Sequence, residues 1–391
     1  MRPLLGAAAS VVVAQGAVLA LWPDAHTLLI DLQVYRAGGE HVLAGDPLYT
    51  GGVLLDLPFV YPPFAAVLFA PLALLPLGVL KALWTTAGVA LLALVVHRCA
   101  PRAGWPAVAL AAVAATALDP VRTTLYLGQI NIVLLALVAC DLLGRPEGRL
   151  RGVGVGLAAA VKLTPLLFVV YLAATRRWRA AGTALATFAA AAGIGFLFAP
   201  ADSVAFWWDG TFLAADRISD VAGPSNHSLS GLMARLGAEG LPWFAAAAGL
   251  GVATIVAAAR AHGAGEEVLA VALCGLASAA LAPFAWSHHY VWVVPLAVHL
   301  GTRAVAGDRR AAAGLAGVLV ATVAVVTALP GPRVGPIPAT GLVSVWQDAY
   351  LLLFLVALAA TAGWRRAPCA APPACRAPAT EAVGTPPGAR R

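Results

Sequence analysis

Charged residues are scarce in this chain of 391 residues, where Asp, Glu, Lys and Arg together make up 11% of the sequence. Hydrophobic residues make up 61% and the mean hydropathy is +0.86, which is more apolar surface than a soluble core of this size can bury. Several stretches approach the roughly 20 apolar residues that cross a bilayer as a helix, among them Ala180–Phe198, Pro242–Ala259 and Ala311–Leu329. The sequence therefore predicts an all-α, polytopic integral membrane protein with about 10–12 transmembrane helices.

Lysine is also rare, the cysteines show no pattern, and glycine-rich phosphate-binding loops are missing. Only two of the 25 basic residues are lysines, and the basic residues are dispersed between apolar stretches, so the net charge of +7 does not indicate a nucleic-acid partner. The five cysteines show neither a disulfide framework nor a zinc spacing. Without a GxGxxG or Walker-type loop, a nucleotide-dependent soluble domain is excluded, and no acidic cluster indicates a metal site.

The two termini carry different patterns. Leu4–Trp22 is apolar and is followed by no small-residue cleavage site, so we expect a retained first span and not a secretory signal. Residues 367–391 are rich in Ala and Pro without apolar periodicity, which predicts a disordered cytoplasmic tail. We expect one transmembrane domain over residues 1–366.

The arginines predict an orientation. If the N-terminus is cytoplasmic and each long apolar segment reverses sides, 18 arginines lie inside and five outside, namely Arg36, Arg122, Arg217, Arg235 and Arg333. This requires residues 63–97 to cross an odd number of times and residues 152–175 an even number, for example as half-helices broken at Lys162–Pro165. A plain twelve-span alternative leaves 14 arginines inside and 9 outside, and differs only between about residues 80 and 176.

Asp31 is the first candidate for chemistry. It follows the first predicted span directly, and a carboxylate near hydrocarbon needs water, a partner or a function. It could instead be the N-cap of a short surface helix through Val34 and Tyr35, although a capping carboxylate can still act as a base. The same outer loop returns to the membrane at Pro62 and Pro63, two prolines that fix the approach of the chain.

Further polar residues recur at predicted span ends. Gln129 and Asn131 begin a span, where their amides either cap the helix or bond sugar hydroxyls. Lys162 lies within an apolar segment and needs an anion, either a lipid phosphate or a buried aspartate. Asn226 and His227 lie in the large outer loop, where their match to a glycosylation acceptor is weaker than a role in recognition.

Two histidines, His288 and His289, stand beside aromatic residues at the outer end of another helix. Neighbouring helical residues point about 100° apart, so both rings cannot easily face one ligand, and zinc is disfavoured. A hydrogen bond from one histidine to a phosphate is the alternative to a packing role at the membrane interface.

Six segments in chain order resemble the motifs of one family, the actinobacterial polyprenyl-phosphate-mannose-dependent α-mannosyltransferases. This is glycosyltransferase family 87 of the GT-C superfamily. The resemblance runs from about residue 28 to residue 300. The segments are Asp31-Leu32-Gln33-Val34-Tyr35, Val60-Tyr61-Pro62-Pro63, Gly128-Gln129-Ile130-Asn131, Lys162-Leu163-Thr164-Pro165, Asn226-His227-Ser228-Leu229 and Ser287-His288-His289.

The resemblance implies a GT-C fold in the cytoplasmic membrane with its active site on the outer face, and a polyprenyl-phosphate-mannose donor. It implies that Asp31 is the catalytic base and that His288 or His289 assists at the donor phosphate. Direct displacement on a β-linked donor then gives an α-mannoside on a glycolipid or polysaccharide acceptor, without a metal or cofactor. We expect donor or acceptor contacts from the remaining candidates: Tyr35, Arg36, Tyr61, Gln129, Asn131, Lys162, Asn226 and His227.

Two other classes of protein compete with this interpretation. A transporter or flippase could use the same buried Lys and Asp, but it predicts inverted repeats, which the sequence does not contain. A non-catalytic subunit of cell-envelope glycan assembly would tolerate the loss of Asp31, whereas the enzyme would not.

Overall fold

The computed structural model describes residues 28–144, 148, 150–214, 217, 219–324 and 342–362. The predicted first span, Leu4–Trp22, and the predicted tail, 367–391, lie outside the described residues. So does the end of the predicted span Ala311–Leu329.

Helices build nearly all of the described chain, and the only strands there, β1 (Gly52–Leu54) and β2 (Leu57–Pro58), form a short antiparallel hairpin. The all-α prediction is confirmed. The helices are α1 (Ile30–Ala44), α2 (Pro63–Phe69), α3 (Leu77–Cys99), α4 (Trp105–Ala115), α5 (Asp119–Leu127), α6 (Asn131–Leu142), α7 (Val153–Val161), α8 (Leu167–Ala174), α9 (Trp178–Phe198), α10 (Pro200–Trp207), α11 (Leu229–Arg235), α12 (Leu241–Gly263), α13 (Glu267–Ala280), α14 (Val293–Val305), α15 (Arg309–Leu319) and α16 (Leu342–Ala362). Short 3₁₀ turns cover Ala70–Leu74, Thr164–Leu166, Thr211–Leu213 and Ser287–Tyr290, and a π-turn covers Val320–Ala324.

Three helices of the described chain are long and apolar enough to cross a bilayer alone: α3, α9 and α12, of 23, 21 and 23 residues. Helices α4 and α5 together reach that length but are bent by 80°. Other apolar helices are shorter, at 10–17 residues, so the number of spans stays a prediction. The chain is a multi-pass membrane protein.

Helices α7 and α8 form a hairpin that enters the helix bundle and returns to the same end. Helix α7 runs parallel to α9: a Cβ added at Gly152 would lie 2.1 Å from the Ala180 oxygen, and one at Gly156 would lie 2.4 Å from the Ala184 oxygen. Only glycine allows backbones to approach this closely. Because α8 ends just before α9 begins, both outer ends of the hairpin lie at the start of α9. Both ends of residues 152–175 therefore lie at the same end of the bundle, which is what the predicted even number of crossings requires.

The tip of this hairpin is the break predicted at Lys162–Pro165. Helix α7 ends at Val161, and Lys162 is extended, with φ −150° and ψ 130°. Pro165 disfavours helical geometry at the preceding residue and cannot donate a backbone hydrogen bond, so the chain resumes only as a 3₁₀ turn at Thr164. The prolines of the first outer loop act as predicted too, since α2 begins at Pro63 with Pro62 as its N-cap.

Of the helices between residues 63 and 99, only α3 is long and apolar enough to cross a bilayer alone. Helix α2 and its 3₁₀ extension pack on α1, where a Cβ at Gly39 would lie 2.7 Å from the Phe69 oxygen. Helix α3 passes beside α1, where Trp84 contacts Tyr35, and continues away from α1 to its end at Cys99. With the hairpin, this arrangement agrees with the crossing pattern that the arginine bias predicts, and that pattern stays a prediction.

The end of the bundle opposite Asp31 is tied together by ion pairs between loops. Arg177 Nη1 lies 2.6 Å from Glu267 Oε1, and Arg303 Nη1 lies 2.8 Å from Glu266 Oε1. These contacts join the turns before α9, before α13 and before α15. The loops that the positive-inside rule assigns to the cytoplasm thus meet at one end.

The hairpin predicts the accessibility of introduced cysteines. In a background without the native cysteines, Gly148→Cys and Arg176→Cys should be labelled by a membrane-impermeant thiol reagent under the same condition, because both flank one re-entrant hairpin. Glu40→Cys, on α1, is the opposite-side control and should be labelled under the other condition, intact or permeabilised cells. Labelling of Gly148→Cys and Arg176→Cys from different sides would contradict the hairpin.

Candidate active site

Asp31 lies in the first turn of α1, where the helix N-terminus favours a carboxylate. It is not the N-cap: Leu29 holds that position and makes no side-chain capping bond, so the capping prediction is wrong. The Asp31 Oδ2 atom accepts a hydrogen bond of 2.8 Å from Gln129 Nε2. The carboxylate is therefore directed across the site and not along its own helix.

Gln129 joins Asp31 to two buried tyrosines. Its Oε1 atom accepts hydrogen bonds from the hydroxyls of Tyr35, at 2.7 Å, and Tyr61, at 3.1 Å. The two hydroxyl oxygens are 2.9 Å apart. Helix α6 has Ile130 as its N-cap, without a side-chain capping bond, so the capping alternative for the amides is also wrong.

Lys162 reaches the site from the hairpin tip. Its Nζ atom donates to Asn131 Oδ1 at 3.3 Å and lies 2.8 Å from His289 Nε2. It also lies 5.6 Å from the centre of the Tyr61 ring, in cation–π geometry. Because an ammonium group only donates, His289 Nε2 accepts and its proton belongs on Nδ1. The ammonium interacts electrostatically with Asp31 but makes no close ion pair with it among the described residues.

The two histidines point in different directions, as the sequence indicated. Their rings are 4.8 Å apart and nearly perpendicular, at 85°. His289 faces Lys162, whereas His288 stacks on Trp286 at 5.6 Å. The backbone oxygen of His288 accepts from Asn131 Nδ2 at 3.0 Å and from Thr124 at 3.4 Å. Of the two, His289 is the ring next to the ammonium.

Burial raises the pKa of Asp31 to about 6, against the opposing effects of the Gln129 hydrogen bond and the Lys162 charge. A carboxyl group with this pKa is mostly ionised at neutral pH. It is also a stronger proton acceptor than an exposed aspartate, which suits a general base.

Arg36 does not join this group. Its guanidinium pairs with Glu40 at 2.9 Å and donates to the Ala73 backbone oxygen at 3.2 Å, so it ties α1 to the turn after α2. These bonds do not support the predicted contact of Arg36 with the donor.

Asn226 and His227 hold the loop before α11 in place. Asn226 is fully buried, and its Oδ1 accepts from the Ser228 hydroxyl at 2.8 Å and from the Ala285 backbone N–H at 3.1 Å. The His227 ring bonds the Gln347 backbone oxygen at 2.7 Å. The predicted recognition role is not supported, because these atoms bond protein groups, and a buried Asn226 is no glycosylation acceptor.

Two residues at the histidine turn were not among the predicted site residues. Thr124 and Trp286 position the histidine turn, one through a backbone oxygen and the other through ring stacking. Trp286 adjoins the histidines in sequence, which was the available indication. Thr124 gave none, because its partner is 164 residues away.

No three His, Cys, Asp or Glu side chains converge on one point within the described ranges. The oxygen and nitrogen atoms near Asp31 belong instead to amides, hydroxyls, one ammonium and one imidazole.

The model of glycosyltransferase family 87 matches residues 59–283. The chain belongs to glycosyltransferase family 87. It is an enzyme that transfers glycosyl groups, and the match covers Tyr61, Gln129, Asn131 and Lys162, while Asp31 and the histidine pair lie outside it.

Three relatives of this family 87 chain have names that specify their reactions. The polyprenol-phosphate-mannose-dependent alpha-(1-2)-phosphatidylinositol mannoside mannosyltransferase of Mycobacterium tuberculosis is 38% identical over 299 residues, covering 70% of each chain. The protein of the same name in Mycolicibacterium smegmatis is 35% identical over 303 residues, covering 69% of each chain. A phosphatidylinositol pentamannoside mannosyltransferase of M. smegmatis, also polyprenol-phosphate-mannose-dependent, is 35% identical over 288 residues, again covering 69% of each.

Among solved structures, ArnT from Cupriavidus metallidurans bound to undecaprenyl phosphate aligns over 91% of this chain and 76% of its own. The identity is 18% and the TM-score is 0.44, a likeness too low to support a functional comparison.

The loop role of Asn226 in this family 87 enzyme is testable. Asn226→Ala leaves buried Ser228 and Ala285 groups without an acceptor, so we expect a loss of about 2 kcal/mol in the free energy of unfolding, seen as a lower melting temperature in detergent. Asp209→Ala, at an exposed outer position, is the control. An unchanged melting temperature with a raised donor KM would instead restore the recognition role.

Proposed function

We propose that this family 87 enzyme transfers a mannosyl residue from polyprenyl-phosphate-mannose to a phosphatidylinositol mannoside or related glycolipid or polysaccharide. The names of the relatives support this donor and acceptor. The proposal takes residues 1–366 as one catalytic domain.

One observation carries the proposal: a carboxylate and an ammonium converge on one buried network from separate elements. Asp31 comes from α1 and Lys162 from the tip of the α7–α8 hairpin, and Gln129, Asn131 and Tyr61 connect them. Glycosyl transfer from a phosphate donor needs a base for the acceptor and a cation for the leaving group. The two charged groups match these two needs.

In the proposed reaction, Asp31 accepts the proton of the acceptor hydroxyl as its oxygen attacks the anomeric carbon. The bond from that carbon to the phosphate oxygen breaks, and the polyprenyl phosphate leaves with the electron pair. Lys162 stabilises the growing negative charge, and His289, whose Nε2 accepts from that ammonium at 2.8 Å, holds it in position. With a β-linked donor, this single displacement inverts the anomeric carbon and gives an α-mannoside.

The outer face of the cytoplasmic membrane is the proposed side of the reaction. The loops rich in arginine gather at the end of the bundle opposite Asp31, and the positive-inside rule assigns that end to the cytoplasm. The side chains of Asp31 and Lys162 would then meet a lipid-linked donor from the outer leaflet.

Asp31→Asn should remove nearly all mannosyl transfer in isolated membranes supplied with polyprenyl-phosphate-mannose, because an amide cannot accept the proton. The amide keeps the size of the side chain, so expression and membrane insertion should stay at the wild-type level. Glu40→Gln, the same change on the exposed part of α1, is the matched control and should keep its activity.

Activity of Asp31→Asn within a few-fold of wild type would rule out the base assignment. A group other than Asp31 would then accept the proton of the acceptor hydroxyl.

Alanine substitutions of the two histidines should have different effects in steady-state kinetics. His289→Ala removes the ring 2.8 Å from the Lys162 ammonium, so it should raise the donor KM or lower kcat by about tenfold while changing the acceptor KM little. His288→Ala removes a ring that stacks on Trp286, so its effect should be on thermal stability. Equal effects of His289→Ala on donor and acceptor KM would indicate a packing role for both.

A further inference from the structure

We infer that Gln129 is a positioning residue, which holds the Asp31 carboxylate in one orientation and does not itself bind sugar. This inference rests on the proposed function, because it concerns the residue proposed there as the base. It replaces the expectation that Gln129 contacts donor or acceptor.

The orientation of the Gln129 amide is fixed by its neighbours. An ionised carboxylate can only accept hydrogen bonds, so Nε2 must face Asp31 and Oε1 must face Tyr35 and Tyr61. The opposite orientation would bring an oxygen against the carboxylate. Gln129 is itself buried, with 7% of its surface exposed, which leaves its amide little room to turn.

The tyrosines make this arrangement rigid. Tyr35 stacks on Phe69 with ring centres 4.7 Å apart, and its hydroxyl oxygen also accepts from the Ile130 backbone N–H at 3.3 Å. Only two hydroxyl hydrogens serve the three contacts among Tyr35, Tyr61 and Gln129. Tyr35 donates to Gln129 Oε1 at 2.7 Å, and the Tyr61 hydrogen is directed either to the same oxygen or to the Tyr35 hydroxyl, so every arrangement ends on Oε1.

Asp31 and Tyr35 lie one helical turn apart on α1, so they project from the same face. Gln129 spans both side chains from a different element, the junction before α6. It binds Asp31 through Oδ2 alone. The other carboxylate oxygen, Oδ1, is thereby left for the hydroxyl of an acceptor.

This arrangement also affects protonation. The charged and titratable groups facing Asp31 are Lys162 from the hairpin, with His289 beside it, Tyr35 on α1, and Tyr61 from the loop before α2. Of the hydrogen bonds, the one from Gln129 lowers the pKa of Asp31. Loss of that bond should raise the pKa further above its ordinary value, so more base is protonated near neutral pH.

The test is the pH dependence of kcat/KM for mannosyl transfer in isolated membranes, from about pH 5 to pH 9. Gln129→Leu should move the acid limb to higher pH by about one unit, because Asp31 then needs less acid to be protonated. At pH 6 this amounts to about a fivefold loss, which is largely recovered at high pH. The donor and acceptor KM values should change little above the acid limb.

Gln33→Leu is the matched control. It is the same substitution on α1, where the native amide bonds the Leu28 backbone oxygen outside the network, so the acid limb should stay in place. If Gln129→Leu does not fold, Tyr35→Phe removes the 2.7 Å donor to Oε1 and should move the acid limb in the same direction by less.

An unmoved acid limb in Gln129→Leu or Tyr35→Phe, with a raised KM for donor or acceptor, would overturn the inference and make Gln129 a sugar contact. Failure of the proposed function looks different. In that case, the wild-type enzyme makes no product from polyprenyl-phosphate-mannose, or Asp31→Asn remains active.

Discussion

The site depends on keeping a carboxylate and an ammonium charged inside a membrane protein. Each would be costly to bury alone, and direct contact between them would neutralise both for chemistry. Here Asp31 and Lys162 interact through space while separate polar groups satisfy each of them. Gln129 serves the carboxylate, and Asn131 and His289 serve the ammonium. Amides on one short stretch of chain thus support both charges and keep them apart.

The α7–α8 hairpin is what brings the ammonium to this network. A continuous helix through residues 152–175 would have placed Lys162 in the middle of a span, facing hydrocarbon or a neighbouring helix. Breaking the helix at Lys162 puts the side chain at a tip, next to Asn131 and His289. Close packing of Gly152 and Gly156 on α9 allows the half-helix to enter beside a full span. The break therefore both positions Lys162 in the site and lets the hairpin return to the end where it began.

Much of this was predictable from local chemistry. Pro165 after an isolated lysine indicated the broken helix, and Pro62 and Pro63 indicated the start of α2. The crossing pattern that the arginine bias predicts agrees with the hairpin and stays a prediction. The partners within the site were not predictable, because Gln129 lies 98 positions from Asp31, and Asn131 and His289 lie 31 and 127 positions from Lys162. For the same reason, the capping alternatives for Asp31 and Gln129 were wrong, because both side chains make tertiary contacts and not local ones.

The loop before α11 shows where prediction from the sequence fails because burial is unknown. Asn226 and His227 have the composition of a recognition motif, and nothing in the sequence shows that both are buried. A polar residue in a loop is available to a ligand only if the fold leaves it exposed, and here the side chains of Asn226 and His227 are buried and bond other protein groups.

The most direct test of the account is a structure of the Asp31→Asn variant with polyprenyl-phosphate-mannose bound. The account predicts the donor phosphate within hydrogen-bonding distance of Lys162 Nζ, and the anomeric carbon open to attack from the side of position 31. A phosphate held elsewhere, for example by Arg36, with position 31 remote from the sugar, would contradict it.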